Sequence, residues 1–262
     1  MTLVLTELPE AVQEAVARTR ERVAALHAEL PRNGLVVWTA GNVSERVPRP
    51  SVGAPSTGTP SADPAGPPEL FVIKPSGVSY DDLSPETMVV CTLDGEKIAD
   101  GTPTSLSPSS DTAAHAYVYR HMGEVGGVVH THSTYATAWA ARGEEIPCVL
   151  TMMADEFGGP IPVGPFAVIG DDSIGQGIVE TLRSSRSRAV LMQNHGPFTI
   201  GKDARAAVKA AVMCEEVART VHVSRQLGAP LAIAPEKVDA LFDRYQNVYG
   251  QQAPTTDIAQ EA

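Results

Sequence analysis

The chain has 262 residues, enough for one large domain or two small ones. Hydrophobic residues make up 43% and charged residues 19% of the sequence, which is typical of a globular protein with a sizeable core. The formal net charge of -11 argues against nucleic acids and anionic membranes as main partners. No apolar run reaches the ~20 residues that span a bilayer. The first ten residues lack a basic signal-peptide region, and the three cysteines are scattered, so we expect a cytoplasmic protein.

The first third of the chain predicts one helix, several strands and a long insertion. Apolar residues recur at helical spacing over residues 9–30, and extended apolar runs predict strands at residues 35–40, 70–73 and 88–93. Residues 48–69 consist mainly of Pro, Gly, Ser, Ala and Thr, a composition that buries little apolar surface. This segment predicts a flexible surface loop inserted between two paired strands, with a domain linker as the alternative.

The remaining two thirds predict further strands and helices in no strict alternation. Strands are predicted at residues 126–133 and 189–192, and helices at residues 111–121, 135–142, 203–227 and 237–245. Asp203 is a suitable N-cap for the long helix, which Gly228 ends. We therefore expect one α/β domain over residues 1–251, with a mixed or antiparallel sheet covered by helices and a disordered tail at residues 252–262.

Three histidines form the most informative constellation. Side chains two residues apart in a strand point to the same face, so His130 and His132 would project together. His195 follows a second predicted strand. Three neutral imidazoles with an open fourth position are typical of a catalytic zinc site, whereas structural zinc sites usually contain thiolates. The alternative is that the histidines are unrelated, one buried and hydrogen-bonded and the others exposed.

Two polar motifs and an asparagine precede the histidines in the chain. Hydroxyl and backbone N–H groups at a turn or at a helix start suit a phosphate dianion, and a lysine adds positive charge. The residues concerned are Asn42, Lys74, Ser76, Gly77, Ser109 and Ser110. Taken singly, each motif is also consistent with an ordinary turn or helix cap.

Several other side chains carry weaker expectations. Trp38 and Trp139 are predicted to lie in the core rather than to act as stacking platforms. His27 and His115 fall on predicted helices and are expected at the surface or as caps. Glu215 is expected on the solvated face of the long helix or at a subunit contact.

With these motifs in order, the chain resembles the class II aldolase/adducin-head family, and within it the L-ribulose-5-phosphate 4-epimerases. The resemblance runs from about residue 26 to residue 251. It is carried by Gly41-Asn42-Val43-Ser44, Phe71-Val72-Ile73-Lys74-Pro75-Ser76-Gly77, Ser109-Ser110-Asp111-Thr112, His130-Thr131-His132-Ser133, Ala154-Asp155, His195-Gly196-Pro197-Phe198 and Tyr249-Gly250-Gln251.

The resemblance implies a fold and a set of site residues. The fold is a single-domain, three-layer α/β arrangement with a central mixed, largely antiparallel sheet. The three histidines would hold Zn²⁺, or another divalent cation such as Mn²⁺ or Co²⁺, with Asp111 as a further ligand or near neighbour. Asn42, Ser76, Gly77, Ser109 and Ser110 would form a phosphate cradle. Family members are C4 homotetramers with active sites at subunit interfaces, so Tyr249 would act on the neighbouring subunit's site.

The resemblance also favours one activity within the family. Asp111 stands where the aldolases carry a glutamate, Asp155 matches the epimerases' second proton carrier, and Thr151 matches a residue close to it. The implied reaction is metal-dependent epimerisation of L-ribulose 5-phosphate to D-xylulose 5-phosphate by breaking and re-forming the C3–C4 bond, as in pentose and arabinose catabolism. One departure is a missing His-x-x-Arg stretch before Tyr249, where Arg244 is the available substitute. The alternatives are a sugar-phosphate aldolase, a related decarboxylase, or a non-catalytic adducin-like binding module.

Overall fold

A seven-stranded mixed sheet forms the centre of the computed structural model, which describes residues 2–49 and 68–247. The strands are β1 Asn42–Arg46, β2 Leu70–Ile73, β3 Val89–Thr92, β4 Gly127–His130, β5 Val163–Gly164, β6 Ala189–Met192 and β7 Gly196–Gly201. Their order is β3-β2-β1-β4-β7-β6-β5, and every neighbouring pair is antiparallel except β5 with β6. The predicted mixed, largely antiparallel sheet is confirmed.

Helices cover both faces of this sheet. They are α1 Glu10–His27, α2 Glu29–Arg32, α3 Thr112–His121, α4 Thr134–Arg142, α5 Thr151–Phe157, α6 Ser173–Arg183, α7 Ala204–Leu227 and α8 Pro235–Asn247. Successive strand residues point to opposite faces, so Val128 packs with α3 and α6 while Val129 packs with α1 and α7. A third cluster packs α4, α5 and α7 against β6. Three layers result, as the resemblance implied.

The predicted strand at residues 35–40 is wrong. That segment is a loop without strand pairing, and the strand begins at Asn42. The predicted core position of Trp38 is also wrong, because its side chain is 88% exposed and its φ of 56° belongs to the left-handed region. β1 was missed because it buries Ser44 and Glu45, whose partners lie far away in the chain. Trp139, by contrast, is buried as predicted.

Two helix histidines expected at the surface are instead fully buried. His27 donates from Nδ1 to the Val23 carbonyl at 2.7 Å, and its Nε2 accepts the Val43 amide at 3.0 Å. His115 lies with Nδ1 2.7 Å from the Ser44 hydroxyl. Each histidine joins a helix to β1, and this role depends on tertiary contacts that helical spacing does not reveal.

The other predicted helices and strands are found near their predicted positions, although the strand predicted over residues 126–133 ends at His130, and α5, α6, β5 and β7 were not predicted. Asp203 caps α7 through the Ala206 amide, as expected. None of the helices in the described part of the chain is long and apolar enough to cross a membrane. Most of the 48–69 insertion, the 252–262 tail and Tyr249 fall outside the described residues.

Candidate metal centre

One edge of the sheet gathers the polar residues that the sequence singled out. β4 ends there at His130, and Asn42, the first residue of β1, pairs with it in register. β6 ends at the same edge and turns through His195 into β7, while Lys74 follows the last residue of β2. We call this the histidine edge. The alternating strand directions bring residues that are distant in sequence to one place.

The three histidines form a compact group at this edge. The Nε2 atoms of His130 and His132 lie 2.9 Å apart, and one ligand nitrogen from each of the three rings falls within 4.8 Å of the others. A tetrahedral zinc with Zn–N bonds of about 2.1 Å requires nitrogens roughly 3.4 Å apart. The group therefore fits a single divalent cation after small side-chain movements.

His130 is held in a tautomer suited to metal binding. Its Nδ1 lies 3.1 Å from the Pro197 carbonyl, so Nδ1–H donates there and the Nε2 lone pair faces the other two rings. Phe198 stacks on the His130 ring with centroids 4.1 Å apart. Burial, together with the neighbouring His195 and His132, holds the pKa of His130 well below its usual value. A neutral imidazole is the form that a cation binds.

His132 and His195 are placed by turns and not by strands. The predicted strand over residues 126–133 ends at His130, so His132 lies beyond the strand pairing. His195 closes a three-residue turn between β6 and β7 in which Asn194 has a φ of 57°, and asparagine tolerates this left-handed conformation. Burial lowers the pKa of both histidines, and the nearby Asp111 carboxylate opposes that shift.

Asp111 joins the histidines to the polar loops. It is the residue before α3, it is 6% exposed, and its Oδ2 accepts from Asn42 Nδ2 at 2.7 Å. The same Asn42 amide donates to Ser109 Oγ at 2.9 Å. Oδ1 of Asp111 and Oδ1 of Asn42 are both buried without a hydrogen-bond partner among the described residues. Two unsatisfied acceptors beside three imidazoles fit a bound cation or a hydroxylated ligand.

The two predicted phosphate motifs lie in neighbouring loops, residues 74–78 and 107–111, which we call the paired loops. The Ser76 amide donates to Ser107 O at 2.9 Å, and the Ser109 amide donates to Lys74 O at 3.0 Å. The side chain of Ser76 is exposed, as are Gly77 and Ser110. Gly77 has a φ of 69°, and a Cβ added to it would have nothing within 4 Å, so the loop is open at that point.

The Lys74 ammonium binds backbone carbonyls of its own loop and of the segment before β1. Its ammonium donates to the carbonyls of Thr39 at 3.2 Å, Pro75 at 3.3 Å and Val78 at 2.9 Å. The residue is 2% exposed, and burial lowers the pKa of Lys74 to about 8. A direct contact with a phosphate would have to replace one of these three hydrogen bonds.

The predicted proton carriers stand apart from the histidine group in the described chain. Asp155 is half-buried on α5, and its carbonyl accepts from Gln246 of α8 at 3.4 Å. Thr151 is exposed at the start of the same helix. Tyr249 follows the last described residue by two positions. Strand pairing and hydrogen bonds connect the histidine edge, Asp111, Asn42 and the paired loops, and no hydrogen bond in the described chain links Asp155 or Thr151 to them.

Sequence reasoning missed two residues that shape the centre. Phe198, three residues after His195, supplies the apolar wall beneath His130, and its place in the His-Gly-Pro-Phe motif was the available signal. The expectation that Glu215 lies on a solvated face is wrong. Its carboxylate accepts the amides of Tyr135 and Ala136 at the start of α4, both at 2.9 Å. No sequence pattern links residues 80 positions apart.

Comparison with known proteins identifies the family. Residues 21–222 match the Class II Aldolase and Adducin N-terminal domain. The chain is 39% identical over 223 residues to L-ribulose-5-phosphate 4-epimerase UlaF of Salmonella paratyphi B, a match that covers 82% of this chain and 88% of that protein.

Solved structures share the fold. An L-fuculose 1-phosphate aldolase superposes with a TM-score of 0.72 at 20% identity, over 87% of this chain and 96% of its own. YgbL of Klebsiella pneumoniae, a putative aldolase/epimerase/decarboxylase, gives a TM-score of 0.68 at 26% identity, over 86% of this chain and 98% of its own. Since the family match covers most of the chain and the fold agrees, the protein belongs to the class II aldolase and adducin family.

Proposed function

We propose that the protein is a metal-dependent sugar-phosphate epimerase that interconverts L-ribulose 5-phosphate and D-xylulose 5-phosphate at C4. The observation that carries the proposal is the convergence of three imidazoles and the short Asp111 carboxylate beside two hydroxyl-rich loops on one sheet edge. The 39% identity to a curated epimerase of that substrate supports the same activity. A scaffold without catalysis has no need of such a group.

The chemistry requires a carbon–carbon bond to break, because the hydrogen on C4 is not acidic. A divalent cation bound here, which we propose to be zinc with Mn²⁺ or Co²⁺ as substitutes, would supply the positive charge that stabilises the negative charge developing on the substrate as the bond breaks. His130, His132 and His195 would hold this cation, with Asp111 as a fourth ligand or near neighbour. The fixed tautomer of His130 and the stacked Phe198 keep the first ring oriented and shield it from water.

The paired loops suit the phosphate end of the substrate. Ser76 and Ser110 expose hydroxyl groups at this edge, and Gly77 leaves its backbone accessible. Asn42, which already binds Ser109, would orient the loop toward the metal. In this arrangement the aldehyde fragment stays bound through its phosphate while its carbonyl rotates, so that re-formation of the bond inverts C4.

Proton transfer is required at the C4 oxygen on both faces. We assign it to Asp155 and Tyr249, on the resemblance to the epimerases, with Thr151 nearby. On the same resemblance, we propose a C4 homotetramer with sites between subunits, in which Tyr249 acts at the site of the neighbouring subunit. We also propose a cytoplasmic location, which agrees with three cysteines that form no disulfide in the described chain.

The direct test is incubation of the metal-loaded protein with L-ribulose 5-phosphate. We expect D-xylulose 5-phosphate to accumulate to equilibrium, and a chelator to abolish turnover. Steady release of glycolaldehyde phosphate and dihydroxyacetone without the epimer would identify an aldolase instead. Absence of turnover with a fully loaded metal site would contradict both reactions.

A further inference from the structure

The segment that carries His132 is fixed at both ends by contacts from elsewhere in the fold. Its upstream end is β4, and Thr131, the residue after this strand, donates its amide to Pro197 O at 3.2 Å. Its downstream end is the first turn of α4, which begins two residues after His132. His132 itself lies outside the strand pairing, between the end of β4 and the start of α4.

The first turn of α4 lacks the usual cap. Ser133 has the extended conformation of an N-cap, but its side chain makes no hydrogen bond to the helix. Its hydroxyl accepts from Thr131 Oγ1 at 3.4 Å instead. The amides that an N-cap side chain normally satisfies are those of Tyr135 and Ala136.

Glu215 of α7 takes the place of that cap. Its Oε1 accepts the Tyr135 amide and its Oε2 accepts the Ala136 amide, each at 2.9 Å. Such bidentate, charge-assisted contacts are stronger than neutral ones, and a negative charge at a helix N-terminus is further stabilised by the helix dipole. A second contact fixes α4 on the same helix one turn later, because Trp139 Nε1 donates to Ala218 O at 3.1 Å.

We propose that Glu215 is a positioning residue of the metal centre, which acts through the start of α4 to hold His132 against His130 and His195. This inference rests on the proposed metal site and extends it, since Glu215 contacts neither the cation nor the substrate. Polar partners behind a ligand typically contribute 10- to 100-fold to metal affinity. The loss of one carboxylate oxygen should therefore weaken metal binding and leave the fold in place.

The test compares Co²⁺ affinity, measured by competition with a chromophoric chelator, in Glu215→Gln and in the matched control Glu216→Gln. Glu216 is the next residue of α7, and its carboxylate binds Arg219 on the helix surface at 2.6 Å. The amide side chain in Glu215→Gln would keep one acceptor but turn its NH₂ toward the other backbone amide. We expect about tenfold weaker Co²⁺ binding and an altered visible Co²⁺ spectrum in Glu215→Gln, with neither change in Glu216→Gln.

Saturating metal should restore most of kcat in Glu215→Gln, which a direct role in proton transfer would not allow. If Glu215→Gln folds poorly, Glu215→Asp retains the charge but cannot reach both amides, and the same affinity criterion applies to it.

Equal Co²⁺ affinity in the Glu215 and Glu216 variants, with or without a lower Tm, would overturn the positioning role and leave the metal site standing. Failure of the unmodified protein to bind Co²⁺ would overturn the metal site and this inference together. Lack of epimerase activity in a protein whose variants show the expected affinities would contradict only the proposed function.

Discussion

The histidine group and the paired loops share one edge of the sheet, but their side chains are held differently. His130 is buried, fixed by a backbone carbonyl and stacked on Phe198. Ser76 and Ser110 are exposed, and the loops that carry them are joined through backbone hydrogen bonds. The part of the site assigned to the metal is thus preorganised within one chain, whereas the part assigned to the phosphate remains open to an entering ligand.

The largest effect is expected from a substitution in the histidine group, the preorganised part of the site. His132→Ala removes one of three imidazoles, so the metal should be lost on dialysis and turnover should fall by at least about a hundredfold, a conservative figure for removal of metal-ion catalysis. The circular dichroism spectrum should stay near that of the unmodified protein, because the ligands sit at the edge of the sheet. Full metal occupancy in the variant would exclude His132 as a ligand.

The next prediction separates metal binding from proton transfer. Asp155→Asn should retain its metal, since Asp155 does not belong to the histidine group, and lose about a hundredfold or more in epimerase turnover, as expected for a general acid or base. Metal content and kcat are measured on the same sample.

Subunit exchange tests where the second proton carrier acts. Mixing inactive Asp155→Asn with inactive Tyr249→Phe subunits should recover part of the activity, because a hybrid tetramer can contain sites in which Asp155 of one subunit and Tyr249 of its neighbour are both intact. No recovery would mean that both residues at one site come from the same subunit, or that Tyr249 takes no part.

A further prediction concerns His27, which accepts the amide of Val43, the residue after Asn42. Burial lowers the pKa of His27 from 6.5 to about 3, so below pH 6.5 the unfolded chain takes up a proton that the folded protein does not bind. The stabilising effect of the neutral ring is therefore complete above pH 6.5 and is lost as the pH falls from 6.5 towards 3. The free energy of unfolding should drop by about 1.4 kcal/mol per pH unit for this group in the lower part of that range.

Urea denaturation between about pH 7 and pH 4, which spans most of this range, measures the slope. In His27→Gln the slope should decrease by the amount that corresponds to uptake of about one proton on unfolding. In the control His121→Gln, which changes an exposed histidine, the slope should stay unchanged. A residual slope is expected in His27→Gln, because burial also lowers the pKa of His115 to about 3. An identical slope in His27→Gln and in the unmodified protein would contradict the assignment.

The smallest effect is expected from a substitution in the paired loops, the open part of the site. Ser110→Ala removes one exposed hydroxyl, and loss of a single hydrogen bond of about 1 kcal/mol should raise KM for the sugar phosphate roughly fivefold with little change in kcat. Ser105→Ala, an exposed serine before the paired loops, serves as the control. A loss of bound metal in Ser110→Ala would show that the two halves are not independent.

The histidine group was predictable because its signal is local. The His-x-His pair and the strand before His195 were both visible in the sequence, and only the end of β4 at His130 differed from the expectation. The identity of the paired loops was also visible as two short polar motifs. Their pairing was not, because it depends on backbone hydrogen bonds between segments that lie far apart in the chain.

The predictions that failed, those for β1 and for the places of His27 and Glu215, share one physical cause. β1 buries Ser44 and Glu45, so its sequence lacks the apolar alternation that predicts a strand, and the apolar residues 35–40 before it form a loop instead. His27 and Glu215 likewise satisfy backbone amides of distant elements. A polar side chain with a partner far along the chain carries no periodic signal.

Two glycines, Gly126 just before β4 and Gly127 at its start, have a mechanical consequence for the whole centre. A methyl group on Gly127 would meet Asp203 backbone atoms at 2.4 Å, and one on Gly126 would meet Lys202 O at 2.1 Å, so the beginning of α7 rests directly on bare backbone. Glu215 lies about eleven residues further along the same helix, about 17 Å away. The start of α7 is therefore held close against the sheet at the edge opposite the histidines. We expect that a methyl group added to either glycine would push the start of α7 away and so displace Glu215, which holds α4 in place.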